Sequence, residues 1–154
     1  MAQALWVLNL VWQAVAAGFA FSYAVTLGAF FQWQVRAGDD EFFTRVYTPF
    51  RTALRLKWRY RLFMPFGPAL TAAASLALNH SAHAVLPQAV AVVVFFLYYF
   101  LAHVPTGFAQ AEEALVSGKG LTDRQRRIYL RCNIPLHVLM GSLYAATAVA
   151  LVLT

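Results

Sequence analysis

The chain has 154 residues, of which 61% are hydrophobic and only 12% charged, with 12 Lys and Arg against 6 Asp and Glu. So few charges cannot solvate the surface of a water-soluble domain, and the composition therefore predicts a single membrane-embedded domain over residues 1–154. The net charge of +6 indicates contact with anionic lipid rather than nucleic acid, because the charges fall in two windows, residues 36–61 and 112–131, beside apolar stretches.

Four apolar stretches, at about residues 5–33, 62–78, 86–104 and 134–153, predict four transmembrane helices. A helix needs about 20 apolar residues to cross the hydrocarbon core, so the second stretch is marginal and the first must tilt or protrude. The first stretch is expected to be retained as a span, because it lacks a preceding basic segment and is too long for a signal peptide. The predicted fold class is an all-α, integral membrane, four-helix antiparallel bundle.

All 12 Lys and Arg lie in loop one, between the first and second stretches, or in loop three, between the third and fourth. Short loops rich in Lys and Arg remain in the cytoplasm during insertion. This distribution predicts that both loops face the cytoplasm and that both termini lie outside. The expected location of the chain is a bacterial inner membrane.

Loop one has the pattern of an interfacial amphipathic helix. Its large apolar residues recur at three- and four-residue steps with basic residues between them. They are Phe43, Val46, Tyr47, Phe50, Leu54 and Trp58. Asp39 and Asp40 favour the N-terminus of this helix, and Pro49 is expected to interrupt it. The alternative is a basic helical extension of the second span, whose long side chains reach the lipid headgroups.

Loop three predicts a helix, a turn and a second helix. The turn is expected at residues 117–120, and Thr122 with Gln125 fits a capping box at the start of the second helix. The acidic and basic residues of this loop are expected to form a solvated cytoplasmic face.

Prolines mark the predicted starts of several spans. Pro65 is expected in the first turn of the second span, and Pro135 in the first turn of the fourth, with Asn133 as its N-cap. The single cysteine, Cys132, excludes an intrachain disulfide and redox chemistry by a thiol pair.

Few polar side chains occur in the apolar stretches. Asn9 and Gln13 lie one helical turn apart, so they are expected to hydrogen-bond a neighbouring helix or to contact a ligand. Between the second and third stretches, His80 and His83 are either exposed loop residues or metal ligands on one helix face.

Two histidines fall at matched depth near the inner surface, His103 at the end of the third span and His137 near the start of the fourth. Thr106 follows His103 by three residues and Asn133 precedes His137 by four, so each is expected on the same helix face as its histidine. The pair has three interpretations: ligands of haem b or a metal, an acid/base pair acting near neutral pH, or structural residues at helix ends. Acid/base work is favoured over a metal because no carboxylate is expected at that depth.

The pattern His103-Val104-Pro105-Thr106-Gly107, a charged stretch, and then Arg131-Cys132-Asn133 resembles the anthrone-oxygenase-like family of small four-helix membrane proteins. That family has a Pro-Thr-Asn element at the end of the third span and a Trp-x-x-x-Asn or Trp-x-x-Asn element at the start of the fourth. Here Gly107 stands in place of the first Asn and Tyr129 in place of Trp. The resemblance covers the layout of the whole chain.

The resemblance implies oxygenation of a lipophilic polycyclic phenol without a cofactor, in which a base forms an anion that reacts directly with dioxygen. His103 and His137 would be the bases, while Asn133 and Thr106 would hydrogen-bond the enolate. The substrate pocket would open toward the inner leaflet. Its expected lining residues are Trp58, Tyr60, Tyr99 and Phe108.

The alternative function is an accessory subunit of a larger membrane redox complex that contacts haem b or a pigment, with His103 and His137 as the haem ligands. The high aromatic content suits a chain that packs against a partner or binds pigment. The expected partners are membrane lipid and either a lipophilic small molecule or a partner membrane subunit, with no nucleic acid. Homo-oligomerisation stays open.

Overall fold

The computed structural model describes all 154 residues and consists of helices joined by short turns. Four helical segments are long and apolar enough to cross a membrane. We call them spans 1 to 4: Ala2–Ala37, Leu56–Asn79, Val85–His103 and Asp123–Val152. The predicted all-α four-helix bundle is confirmed.

Spans 1 and 4 form the centre of the bundle, and span 1 is divided at Thr26 into helices Ala2–Val25 and Leu27–Ala37. Spans 1 and 4 can approach each other closely because small residues lie between them. A Cβ at Gly141 of span 4 would lie only 3.0 Å from the Phe21 ring of span 1. Large apolar side chains cover the outside of the bundle, which suits a surface solvated by lipid. They include Val7, Val11, Leu70, Val93, Leu97 and Val149.

Spans 2 and 4 begin earlier than their apolar cores indicate. Span 4 starts at Asp123 behind the predicted capping box of Thr122 and Gln125, so the prediction of Asn133 as an N-cap is wrong and Pro135 lies inside the helix. Hydropathy detects only the apolar part of a helix whose basic end continues beyond the hydrocarbon.

Span 2 includes a π-helical turn over Leu62–Phe66, which contains Pro65. The prediction that Pro65 starts this span is therefore wrong, because the helix begins at Leu56. A proline inside an α-helix lacks an N–H and clashes with the preceding turn, and a widened turn relieves that clash.

Loop one forms a helical segment of its own. It comprises Asp40–Phe42, a π-helical turn Phe43–Tyr47 and a second α-helix Thr48–Ala53. Pro49 lies in the first turn of that second α-helix and does not break the segment, which changes only from a π-helical to an α-helical turn there. Arg55 has a left-handed φ of 51° and separates this segment from span 2. The sequence therefore forms a separate amphipathic segment rather than an extension of span 2.

Loop three has the predicted helix–turn–helix form, and its helix Phe108–Val116 packs against loop one. The hydroxyl of Thr48 donates to the carbonyl oxygen of Val116 at 3.2 Å, and Arg51 donates to the same oxygen at 3.3 Å. The two charged loops thus meet at one end of the bundle, which we call the charged end.

A second connection at the charged end joins span 4 to the start of loop one. The guanidinium of Arg126 donates to both carboxylate oxygens of Asp40, at 3.1 Å each, and also to the carbonyl oxygen of Val35. Both bonds to Asp40 come from Nη2, while Nη1 donates to the Val35 carbonyl, so two different nitrogens hold the guanidinium in place. Arg126 therefore sets the position of loop one against the bundle.

We expect Asp40→Asn to lower the Tm of the protein in mild detergent by about 2–4 °C, since it removes a partly exposed charge-assisted pair. Arg127→Gln is the matched control, because Arg127 is an exposed neighbour without an ion pair. Equal Tm values for Asp40→Asn and the unmodified protein would contradict this role for Arg126.

Candidate active site

A cavity of about 510 Å³ lies at the charged end, between the spans, loop one and the loop-three helix. Its volume falls in the range typical of small-molecule sites. The apolar wall includes Phe19, Ala20, Phe31, Met64, Val116 and Met140. The polar wall includes Tyr23, Tyr47, Arg51, Lys57, Tyr60, Arg61, Tyr99, His103, Glu112, Glu113 and His137.

His137 lines this cavity from span 4 with one ring nitrogen held and the other free. Its Nδ1 lies 2.7 Å from the carbonyl oxygen of Asn133. A carbonyl only accepts, so Nδ1 carries the proton, and in the neutral ring the lone pair is on Nε2. The ring also packs on Tyr23, with centroids 4.1 Å apart. Nε2 makes no hydrogen bond within the chain and is available to a ligand.

His103 lines the same cavity from span 3, with both ring nitrogens engaged. The Tyr98 hydroxyl lies 3.0 Å from Nδ1, and a carboxylate oxygen of Glu112 lies 3.3 Å from Nε2. In the neutral ring, Nε2–H donates to Glu112 and the Tyr98 hydroxyl donates to Nδ1. The three side chains form a continuous hydrogen-bonded row, which we call the Tyr98–His103–Glu112 relay.

The local backbone explains why Tyr98 reaches His103. Residues five apart lie on different faces of an α-helix, where the neighbours are three or four apart. Here Tyr99–His103 forms a π-helical turn, which is wider and brings the two side chains together. The relay therefore depends on this turn.

Glu112 is a partly buried acid that lines the cavity beside His103. Burial on its own raises the pKa of Glu112, but the hydrogen bond from His103 and the positive charges of His103, His137 and Arg51 outweigh that effect and lower the pKa below its usual value. The carboxylate is therefore ionised at neutral pH. An ionised Glu112 stabilises positive charge on either imidazole.

Tyr47 supplies a hydroxyl to the same cavity from loop one. Burial, with a smaller contribution from Tyr60, raises the pKa of Tyr47 to about 12. The hydroxyl therefore remains protonated at neutral pH and can donate a hydrogen bond to a ligand oxygen.

Several predicted site residues come together in this cavity. His103, His137, Tyr60 and Tyr99 all line it. Phe108 is completely buried rather than lining, and its ring packs against both His103 and His137, with centroids 5.0 and 6.0 Å away. Phe108 thus positions the two imidazoles instead of contacting a substrate.

Three other predicted residues, Trp58, Thr106 and Asn133, lie outside the cavity lining. Trp58 is 62% exposed and only borders the cavity, through its contact with the guanidinium of the lining residue Arg61. The Thr106 hydroxyl donates to the carbonyl oxygens of Ala102 and His103. The helix-end position of Thr106 directs its hydroxyl back onto the backbone and away from the cavity.

Asn133 is buried between spans 1 and 4. Its side-chain nitrogen donates to the carbonyl oxygen of Gly28 at 2.8 Å, and its own carbonyl holds His137. The expected hydrogen bond from Asn133 to an enolate has no geometric basis, because the side chain faces span 1. Asn133 instead orients the histidine and joins the two central spans.

The sequence patterns described above do not predict a site role for Glu112, for Tyr98 or for the three cations of the cavity lining, Arg51, Lys57 and Arg61. The sequence predicts a solvated face for the charges of loop three, yet Glu112 lies four residues after the buried Phe108 on a helix whose Leu115 is also buried. That spacing places Glu112 on the inward face and was the available signal. No comparable pattern identifies Tyr98, because its contact needs the π-helical turn.

The polar residues at the other end are structural. The Gln13 amide donates to Asn9 within span 1, and both side chains are buried. His83 stacks on Trp6 with ring centroids 3.8 Å apart, whereas His80 is exposed. His80 and His83 therefore do not form a shared site.

Fold and cavity together define a small helical protein with four candidate membrane spans and a ligand-sized cavity at its charged end. Comparison of the chain with protein-family models, curated proteins and solved structures found no match.

Proposed function

We propose that this chain is a membrane enzyme that oxygenates a lipophilic aromatic substrate without a cofactor, with His137 as the base. The observation that carries this proposal is the free Nε2 of His137, which lines a cavity of ligand size while Nδ1 is held by the Asn133 carbonyl. A base needs a fixed tautomer and an open lone pair, and His137 has both.

The reaction begins with proton transfer from an acidic C–H of the substrate to Nε2 of His137. The C–H electron pair stays on the substrate as an enolate, which dioxygen oxidises with formation of a C–O bond. The same carbon then loses its second hydrogen as a proton, and that C–H electron pair forms the carbonyl bond as the O–O bond breaks. The departing oxygen takes this proton and the one held by His137, which gives a carbonyl product and water. Substrate and dioxygen together balance the product and water.

The surrounding residues support each step. Ionised Glu112 favours the imidazolium formed in the first step, because its charge acts on both histidines. The Tyr47 hydroxyl is a donor suited to the enolate oxygen. The apolar wall excludes water and accepts the rings of the substrate.

The orientation of the chain is part of the proposal. All 12 Lys and Arg lie in loops one and three, which supports a cytoplasmic position for the charged end and an outer position for both termini. A substrate dissolved in the inner leaflet then reaches the cavity between the helices.

The direct experiment measures dioxygen uptake by the purified protein in lipid nanodiscs supplied with anthrone. We expect equimolar consumption of anthrone and dioxygen and formation of the corresponding quinone, faster than in protein-free discs. No uptake with anthrone or with related polycyclic phenols would contradict the proposal. A stoichiometric haem spectrum that disappears in His137→Ala would favour the accessory redox subunit instead.

A further inference from the structure

We infer that the cavity selects a substrate carrying an anionic group, which binds Arg61 at the cavity mouth while the aromatic rings extend toward His137. This inference rests on the proposed function, since it names the substrate class of the same site. It follows from the distribution of charge around the cavity.

Three cations line the cavity: Arg51 from loop one, and Lys57 and Arg61 from the start of span 2. Because Lys57 and Arg61 are exposed at the protein surface, we call this part of the lining the mouth. Two acids face them, Glu112 and Glu113, both from the loop-three helix. The cations therefore outnumber the acids on the lining. The question is which cation remains free for a ligand.

Two of the cations are already paired. Glu113 lies 3.2 Å from the Lys57 ammonium and 3.5 Å from the Arg51 guanidinium. Arg51 is further held by its bond to the Val116 carbonyl. The other acid, Glu112, faces His103 at 3.3 Å. Both carboxylates of the lining are thus occupied.

Arg61 has no carboxylate partner. Its guanidinium lies 5.2 Å from the centre of the Trp58 ring, a contact that orients the group without neutralising its charge. A guanidinium offers paired donors that match a carboxylate, sulfonate or phosphate. Arg61 is therefore the cation of the mouth that a ligand anion meets.

The rest of the lining fits the other half of such a ligand. Phe19, Met64 and Met140 provide an apolar wall, and His137 lines the same cavity. A cavity with a cationic mouth and an apolar interior matches an amphiphile whose anionic group points outward. A neutral aromatic compound uses only the interior.

The test compares two fluorescent probes of similar shape, anthracene-2-carboxylate and 2-(hydroxymethyl)anthracene. Their binding is measured on protein in zwitterionic nanodiscs and corrected for partition into protein-free discs. We expect the carboxylate to bind about tenfold more tightly, the difference that one charge-assisted contact supplies. In Arg61→Gln the two affinities should become nearly equal, with the neutral probe still bound at its original affinity.

Arg59→Gln is the matched control, because Arg59 carries the same charge two positions away and is exposed like Arg61, but lies outside the cavity lining. The carboxylate preference should persist in this variant. Equal affinities for the two probes in the unmodified protein would overturn the inference. An equal loss of preference in Arg59→Gln would also overturn it, since the effect would then come from general surface charge.

An anionic lipid headgroup presents similar chemistry, and a third measurement separates it from a substrate. Phosphatidylglycerol is added to the discs at increasing mole fractions while the carboxylate probe is bound. Little competition supports a substrate site, whereas complete displacement assigns Arg61 to lipid and overturns the inference. These measurements need no turnover, so an absence of dioxygen uptake with an intact carboxylate preference would reject the proposed reaction alone.

Discussion

Replacing His137 with Ala is expected to lower the rate of dioxygen uptake by about 10²–10⁴-fold, the contribution typical of a positioned general base. The rate depends on Nε2 of His137, because this nitrogen carries a free lone pair on a ring that the Asn133 carbonyl holds in place at the cavity. Binding of the neutral anthracene probe should change little, because the apolar wall remains. The loss should therefore appear in kcat rather than in affinity.

The matched control for this variant is His80→Ala, since His80 is exposed at the opposite end of the bundle. His103→Ala gives a second comparison. Both nitrogens of His103 are engaged, so its removal should reduce the rate less than removal of His137 does. A His137→Ala variant that oxygenates anthrone at the unmodified rate would reject His137 as the base.

Glu112→Gln is expected to reduce the rate by about 10–100-fold while leaving the cavity intact. The carboxylate accepts from His103 and stabilises positive charge on both imidazoles, and a charge-assisted contact of this kind is worth about 1.5–3 kcal/mol. An amide keeps the shape of the side chain but lacks the negative charge. Glu112 thus acts as a positioning residue through the histidines.

The same substitution should alter the dependence of stability on pH. The folded protein lowers the pKa of Glu112 below its usual value of 4.5, so its ionised form favours folding at neutral pH. That contribution is complete above about pH 5 and is lost as the pH falls through the lowered pKa. As the pH falls from about 5 through the lowered pKa of Glu112, the Tm of Glu112→Gln should therefore decrease less than the Tm of the unmodified protein.

The control for pH is Glu41→Gln, because the Glu41 carboxylate is 63% exposed and pairs only with Arg45 on the same loop segment. This variant should follow the unmodified protein. A Tm profile for Glu112→Gln that matches the unmodified protein at every pH would show that Glu112 carries no stabilising charge in the folded state.

The architecture was predictable because hydrophobic length and charge placement directly determine how a helix meets lipid. The capping box at Thr122 was equally accessible, since it depends on two residues three positions apart. The starts of spans 2 and 4 were not, because Arg-rich turns are helical without being apolar. Local polarity therefore identifies the membrane core better than the helix ends.

The candidate site was predictable only in part. Matched depth on antiparallel helices correctly brought His103 and His137 to one cavity. Depth does not determine which way a side chain points, however, and Asn133 and Thr106 turned out to bond backbone instead. The contact between Glu112 and His103 depends on how the loop-three helix packs, which no local pattern specifies.

The π-helical turn at Tyr99–His103 makes the site sensitive to the number of residues in span 3. Inserting one residue between Tyr98 and His103 would place them six positions apart and rotate His103 by about 100° relative to Tyr98. Deleting one residue would instead leave them four apart, on one face of a regular α-helix. The hydropathy of the span would hardly change, and the chain would still insert and fold. A single-codon insertion between Tyr98 and His103 can thus abolish the relay, so two related chains with equivalent spans need not share an active site.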